Sequence, residues 1–278
     1  MVYGVLGMIN FAHGEIFMLG AYAGILGLVG LSTWGFSQGH PLAAFAAALG
    51  ASAAVCGAYG AALERVAYRP LRQAHPLTPL ISAIGASIFL QNYVQIAQGT
   101  DNKIFPHVVR GAFEGGSAAG GALTPIQGVI LLVAFACMGI LHLFVTRTRW
   151  GIALRAVAQD REMASLVGIP VDRAIAGTFV LGSGLAAVAG MLVALNYGNA
   201  YPFMGYTAGL KAFTAAVLGG IGNIPGAIAG GILLGLVENI GVWNFGGDYK
   251  DAYSFLVLMA ILILRPQGLL GERTAEKV

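Results

Sequence analysis

The stretch RTRWGIALRAVAQDREMASLVGIPVDR, residues Arg147–Arg173, decides the fold because long apolar blocks lie on both sides of it. It contains five arginines and three acidic residues, whereas only 10% of the whole chain is charged. Unpaired polar groups in hydrocarbon are costly, so a polar stretch of this length cannot lie inside a bilayer. We call residues 147–173 the central loop and place it outside a membrane that the flanking blocks cross.

The composition places the chain among integral membrane proteins. It has 278 residues, of which 57% are hydrophobic, and a mean hydropathy of +0.77. A helix that crosses the hydrocarbon needs ~20 apolar residues. Eight apolar segments occur, most of them close to this length and two shorter: 15–34, 41–63, 77–98, 124–146, 174–197, 207–220, 224–243 and 252–264. We predict an all-α polytopic membrane protein, a single domain over residues 1–278, with about eight transmembrane helices.

The basic residues predict the orientation of the chain. If every segment crosses, eleven of the fifteen Lys and Arg lie on one side: Arg65, Arg69, Arg72, the five arginines of the central loop, Arg265, Arg273 and Lys277. Cytoplasmic loops carry the excess of Lys and Arg in membrane proteins. The central loop and the C-terminus are therefore predicted to be cytoplasmic, and the loop 99–123 to lie on the opposite side.

Short and glycine-rich segments point to a substrate path. Segments 207–220 and 252–264 are short, and the first leads into LGGIGNIPGAIAGG, residues 218–231. Short helices interrupted by Gly or Pro are tolerated where they line a cavity. Glycine faces also allow helices to approach closely in lipid, which predicts close packing at two sets of positions. These are Gly20, Gly24 and Gly27, and Gly226, Gly230, Gly231 and Gly235.

Polar residues in apolar surroundings are the candidates for lining that path, because such groups are expensive in a membrane. The candidates are Asn10, Phe11, His13, Glu15, Gln91, Asn92, Lys211 and Asn223. Structural roles compete with this interpretation. Glu15 would be stabilised near a helix N-terminus, Lys211 would extend its stem to the outer interface, and the amides near Asn92 would bond neighbouring helices.

The central loop predicts two short amphipathic helices. Asp160 is placed to cap a helix from Arg161 to Val167, which Gly168 and Pro170 end. One apolar face is predicted to contain Met163, Leu166 and Val167, and a preceding turn to present Leu154, Val157 and Ala158 together. Such helices either lie in the membrane interface or present a rigid surface to a cytoplasmic partner.

Patterns typical of catalysis are missing from the sequence. Cys56 and Cys137 fall in apolar runs and are predicted to pack in the core, without a disulfide or metal site. No catalytic triad and no Walker-type phosphate loop occurs, so the chain is predicted not to be an enzyme and to carry no ATPase of its own. The sequence has no dense basic stripe of the kind that binds nucleic acid, so nucleic-acid binding is not predicted.

Four motifs resemble branched-chain amino acid ABC-transporter permeases, most closely the LivH-like subunits of that family. They are GMINFAHGEIFMLGAY (residues 7–22), LISAIGASIFLQNYV (80–94), LRAVAQDREMASLVGI (154–169) and KAFTAAVLGGIGNIPGA (211–227). The resemblance covers nearly the whole chain, although urea and amide permeases share parts of the first and last motifs. It also implies a further hydrophobic helix ahead of Met1, so we expect the chain to be N-terminally short.

The resemblance implies a bacterial inner-membrane protein that forms a heterodimer with a LivM-like permease. It further implies two cytoplasmic ATPase subunits, which bind ATP and Mg, and a periplasmic binding protein that delivers Leu, Ile or Val. The chain itself would bind no cofactor and no metal, and the loop 99–123 would be periplasmic. Docking on an ATPase would fall to residues of the central loop: Arg155, Asp160, Arg161, Glu162, Met163, Ser165, Leu166 and Gly168.

Two other functions remain open at this point. A permease of the same architecture would carry urea or short amides. A secondary transporter or channel would instead use His13 and Glu15 for ion coupling.

Overall fold

The computed structural model describes residues 10–72, 74–75, 77–114, 124–265 and 267–271. Motif residues 7–9, the glycine-rich run 115–123, Arg273 and Lys277 lie outside the described residues. The helices, numbered in chain order, are α1 (His13–Thr33), α2 (Phe36–Gly39), α3 (Pro41–Leu63), α4 (Leu77–Gln98), α5 (His107–Glu114), α6 (Pro125–Arg147), α7 (Arg149–Gln159), α8 (Arg161–Leu166), α9 (Val171–Tyr197), α10 (Met204–Gly219), α11 (Ile224–Phe245) and α12 (Lys250–Leu264).

Six of the described helical segments are long and apolar enough to cross a membrane, which confirms an all-α, multi-pass membrane fold. They correspond to α1, α4, α6, α9, α11 and a continuous segment Pro41–Leu71. In that segment α3 continues through a π-helical turn, Glu64–Tyr68, and a 3-10 turn, Arg69–Leu71. Helices α10 and α12 have only 16 and 15 residues, so a total of eight crossings stays a prediction.

Helix α1 lies at the centre of the bundle, where it packs against α3, α9 and α10. Small residues allow the close approach, since a Cβ atom added to Gly20 would lie 2.2 Å from the Cα atom of Ala187. Gly24 packs against Met191 in the same interface. Between α3 and α1, the Ser52 hydroxyl donates a hydrogen bond of 2.7 Å to the carbonyl of Gly20. The predicted glycine face of this helix is confirmed at Gly20 and Gly24.

A second glycine contact joins α10 and α11. A Cβ atom on Gly226 would lie 2.5 Å from the carbonyl oxygen of Gly219, and one on Gly230 would lie 2.1 Å from that of Ala215. The prediction is wrong for Gly235, because an added Cβ atom would meet no described heavy atom within 4 Å. On this turn of α11 the buried residue is Leu234 and not Gly235.

The loop predicted to lie on the outer side pairs, at residues 103–105, with the connection between α9 and α10. Strand β1 (Lys103–Ile104) runs antiparallel to β2 (Asn199–Ala200), and the amide of Phe105 donates to the carbonyl of Gly198 at 2.9 Å. Phe105 is fully buried, so the pairing closes this end over the hydrophobic core. Cys56 is buried in the core, as predicted, whereas Cys137 is only half-buried.

Candidate functional site

The central loop folds into α7 and α8. The Asp160 carboxylate accepts hydrogen bonds of 3.0 Å from the amides of Glu162 and Met163, which confirms its role as the cap of α8. The helix ends one residue earlier than predicted, at Leu166, and the chain then turns at Gly168. Gly168 has φ of +83°, a left-handed conformation that glycine adopts without strain.

One side of the central loop is buried in the protein. Leu154, Val157 and Ala164 are at most 3% exposed and belong to a hydrophobic cluster with Tyr68 and Phe179. The predicted inclusion of Ala158 in this face is wrong, because Ala158 is exposed. Buried Gly151, Leu154 and Val157 follow each other at three-residue spacing, and this row turns Ala158 outward.

The other side of the loop is exposed and apolar at its tip. Met163, Leu166 and Val167 are 62%, 80% and 75% exposed, respectively. Exposed polar side chains of Arg155, Glu162 and Ser165 lie on the same loop. The predicted apolar face therefore exists, but it points away from the bundle. The loop is held by its buried side and offers an apolar tip to a surrounding phase or partner.

Ion pairs attach the central loop to residues 64–72, which we call the anchor segment. Arg69 donates to Asp172 at 2.7 Å, and Arg72 pairs with both Asp172 and Glu64. Arg161 lies close enough for electrostatic interaction with Arg72: burial lowers the pKa of the Arg161 guanidinium, and the positive charge of Arg72 lowers it further. The two basic stretches thus lie at the same end of the bundle, as their charge predicts.

Two polar contacts lie along the central helix α1. The carboxyl group of Glu15, a residue only 1% exposed, accepts a hydrogen bond of 3.2 Å from Ser87 on α4. At the chain entry to α1, the Tyr68 hydroxyl donates a hydrogen bond of 2.8 Å to the side-chain oxygen of Asn10. Sequence reasoning did not identify Ser87 or Tyr68, because their partners are 72 and 58 residues away and no local pattern links them.

A further polar cluster joins α10, α11 and α12. The Lys211 ammonium lies 3.0 Å from a carboxylate oxygen of Glu238 and 2.9 Å from one of Asp251. The Ser254 hydroxyl also donates to Glu238. Lys211 is thus held by protein carboxylates, an arrangement that neither sequence interpretation included.

Comparison with known proteins identifies the family. The family model described as "Branched-chain amino acid transport system / permease component" matches residues 1–264. This chain belongs to that family. No solved structure matches it.

Two curated relatives match this chain over its whole length, and a third matches half of it. The chain is 47% identical to the high-affinity branched-chain amino acid transport system permease protein LivH of Escherichia coli K12, over 100% of this chain and 90% of that protein. It is 48% identical to the corresponding protein BraD of Pseudomonas aeruginosa, over 100% and 91%. The fructose import permease protein FrcC of Rhizobium meliloti is 31% identical over 49% of this chain and 38% of its own length.

In this family member, the eight residues predicted for the path do not form one cluster. Asn223 caps α11 by accepting from the amide of Gly226 at 2.9 Å, and it donates to the carbonyl of Leu270 at 3.0 Å. Asn92 donates to the carbonyl of Ile88 in its own helix at 2.8 Å. Phe11 is 38% exposed, and His13 and Gln91 are half-buried. Their place on the path stays a prediction.

An apolar cavity borders the glycine-rich turn of residues 220–223. Its volume is about 460 Å³, and α6, α9, α10 and α11 supply its walls. This volume lies within the range of ligand pockets. Asn223 also lines the cavity, but both ends of its amide are engaged in the cap and the tail contact. The cavity can accommodate an apolar group next to the glycine-rich turn, which the sequence predicts to line the substrate path.

Proposed function

We propose that this chain is a permease subunit of an ABC importer for the branched-chain amino acids Leu, Ile and Val. The observation that carries the proposal is the central loop: it has a buried base and an exposed apolar tip at Met163, Leu166 and Val167. A surface of this kind suits transient docking of a motor subunit. The identity of 47–48% to LivH and BraD over the whole chain supports the substrate class.

The proposed assembly contains a second, LivM-like permease, two ABC ATPase subunits and a periplasmic amino-acid-binding protein. The chain lies in the bacterial inner membrane, with the central loop and the C-terminus in the cytoplasm and the loop 99–123 in the periplasm. Arg69 and Arg72 pair with Asp172 of the central loop, so the two basic stretches share one end of the bundle, which supports this orientation. The chain binds no cofactor, and ATP and Mg are bound by the partner ATPases.

In the proposed mechanism, ATP binding closes the two ATPases and shifts the central loop as a rigid body. The permease helices then expose the path alternately to the two sides of the membrane. A mostly apolar path with few polar groups suits weak, passing contact with an apolar side chain. Selectivity for the amino acid then resides in the binding protein.

Reconstitution of the complex in proteoliposomes with ATP inside and radiolabelled L-leucine outside tests the proposal. Leu166→Glu is expected to abolish co-purification of the ATPases and leucine uptake while leaving the fold intact, since this side chain is 80% exposed. Ile104→Glu is the matched control for ATPase co-purification, which it should leave unchanged, because Ile104 is 67% exposed at the opposite, β1–β2 end. Normal ATPase binding by Leu166→Glu would contradict the docking role.

The same vesicles separate the other functions. Uptake of urea or a short amide in preference to leucine would identify a different substrate class. Uptake that persists without ATP but collapses with the ion gradient would identify a secondary transporter.

A further inference from the structure

Tyr68 lies where the anchor segment, the central loop and α1 meet. It ends the π-helical turn Glu64–Tyr68 and is only 1% exposed. Its ring packs on Phe179 of α9, with ring centroids 5.1 Å apart, in the hydrophobic cluster that contains Leu154 and Ala164 of the central loop. The ring of Tyr68 is therefore part of the base on which the central loop rests.

Ion pairs also hold the anchor segment beside the central loop. Arg72, four residues after Tyr68, pairs with Glu64 at the start of the π-turn and with Asp172 at the start of α9. The side chain of Arg72 is 13% exposed and that of Glu64 is 4% exposed. The pair with Asp172 ties the turn that carries Tyr68 to the point where the central loop re-enters the bundle. A displacement of the loop must move this turn or break the pair of Arg72 with Asp172, whose side chain is 56% exposed.

The hydroxyl of Tyr68 extends from this base to α1. It donates to Asn10, three residues before the first residue of α1. The side-chain nitrogen of Asn10 is buried and makes no hydrogen bond with any described residue. Helix α1 in turn packs on α3, α9 and α10, and Glu15 lies against Gly205 of α10. A shift at Asn10 thus acts on the helix with contacts to most of the inner bundle.

We propose that Tyr68 is a positioning residue that transmits the movement of the central loop to α1 through its hydrogen bond with Asn10. The proposal rests on the proposed function, because it assumes that a motor subunit moves the loop. The apolar cluster makes the turn and the loop move together, and the hydroxyl makes the entry of α1 follow them. Without the hydroxyl, the loop moves with a looser connection to α1, and more ATP is hydrolysed for each leucine imported.

The measurement is the number of ATP molecules hydrolysed per leucine imported, at saturating leucine, by the complete complex in proteoliposomes. Tyr68→Phe keeps the ring on Phe179 and removes only the hydrogen-bond donor. We expect the ratio to rise about five- to tenfold, because removing one buried hydrogen bond typically changes a free energy by an amount that corresponds to this factor. Tyr59→Phe is the matched control. Tyr59 lies in the preceding helix, and its hydroxyl donates to Tyr93 at 3.3 Å, so this variant loses a hydroxyl contact outside the link.

A double-mutant cycle tests whether Tyr68 and Asn10 act as one unit. Asn10→Ala is expected to raise the ratio as Tyr68→Phe does, and the double variant to raise it no further. A role of Asn10 in contacting substrate would instead raise the KM for leucine and leave the ratio at saturation unchanged. If Tyr68→Phe fails to assemble, Asn10→Ala alone tests the link: a raised ratio at saturating leucine supports it, and a raised KM with an unchanged ratio overturns it.

The outcomes separate the two proposals. A wild-type complex that imports no leucine overturns the proposed function. Leucine import by the wild type together with an unchanged ratio in Tyr68→Phe, or with additive effects in the double variant, overturns only the link. A raised ratio in Tyr59→Phe as well would also overturn it, because loss of any hydroxyl in this region would then suffice.

Discussion

Lys211 and Glu238, 27 positions apart in sequence, lie within 3.0 Å of each other between α10 and α11. Glu238 is 7% exposed, so its carboxylate depends on protein partners rather than on water. Asp251 of α12 approaches the same ammonium at 2.9 Å. The cluster therefore fastens the short helices α10 and α12 to α11, where 16 and 15 residues provide limited apolar surface of their own.

Lys211→Met is expected to lower the free energy of unfolding by about 3 kcal/mol, because it leaves Glu238 buried without its cation. Thermal unfolding in detergent measures the change. Adding Glu238→Gln should recover much of the loss by removing the uncompensated charge. Lys250→Met, at the first residue of α12, is the control and should stay within about 0.5 kcal/mol of the wild type. Equal stability of Lys211→Met and Lys250→Met would contradict a stabilising cluster.

Two glycines in α1 should respond differently to the same methyl group. Gly20→Ala places a carbon 2.2 Å from the Cα atom of Ala187, and the resulting overpacking should cost about 1–3 kcal/mol. Gly30→Ala meets no described heavy atom within 4 Å and should be neutral or stabilising by up to about 1 kcal/mol. Melting temperatures of the two variants in one detergent make the comparison. A similar loss in both would mean that α1 and α9 do not pack as described.

The cap of α8 can be separated from the charge of Asp160. Asp160→Ala removes two hydrogen bonds to helix amides and should destabilise α8 by about 1 kcal/mol, which frays the exposed tip of the central loop. Asp160→Asn keeps an equivalent acceptor and should preserve the tip. Amide hydrogen exchange over residues 161–167 reports the fraying, and ATPase co-purification reports its effect on docking. Equal exchange in both variants would show that the side chain of residue 160 does not cap α8.

Glu15→Gln tests whether a charge in the bundle is needed for transport. The amide keeps the shape of the side chain and an acceptor for Ser87, so stability should stay within about 1 kcal/mol of the wild type. ATP-driven leucine uptake should persist, because the energy comes from the partner ATPases. Ser87→Ala is the companion variant, since it removes the donor and leaves the carboxyl group. Loss of uptake in Glu15→Gln with full stability, together with wild-type uptake that collapses with the ion gradient, would favour the ion-coupled alternative.

The sequence alone predicts the positions of the long helices and the local capping signals at their ends. The apolar segments 77–98 and 224–243 correspond to Leu77–Gln98 and Ile224–Phe245, because the length of an apolar run limits where a helix crosses hydrocarbon. The sequence predicts Asp160 as a cap because its partners follow it by two and three residues. Such features depend only on near neighbours in the chain.

The orientation of the loop helices depended on more than periodicity. Met163, Leu166 and Val167 share an apolar face, but the burial of Ala164 against Tyr68 and Phe179 turned that face outward. Periodicity identifies which residues share a face and not which side of the helix is buried.

The amino-acid sequence by itself determined a multi-pass helical membrane protein, the capped helix of the central loop and the clustering of basic residues. Only the tertiary structure decided the partners of the buried polar groups: Ser87 for Glu15, Tyr68 for Asn10 and Glu238 for Lys211. These partners lie 27 to 72 positions apart, and helix packing brings them together. A polar side chain in a membrane needs a partner, and the sequence states that need without naming the group that meets it.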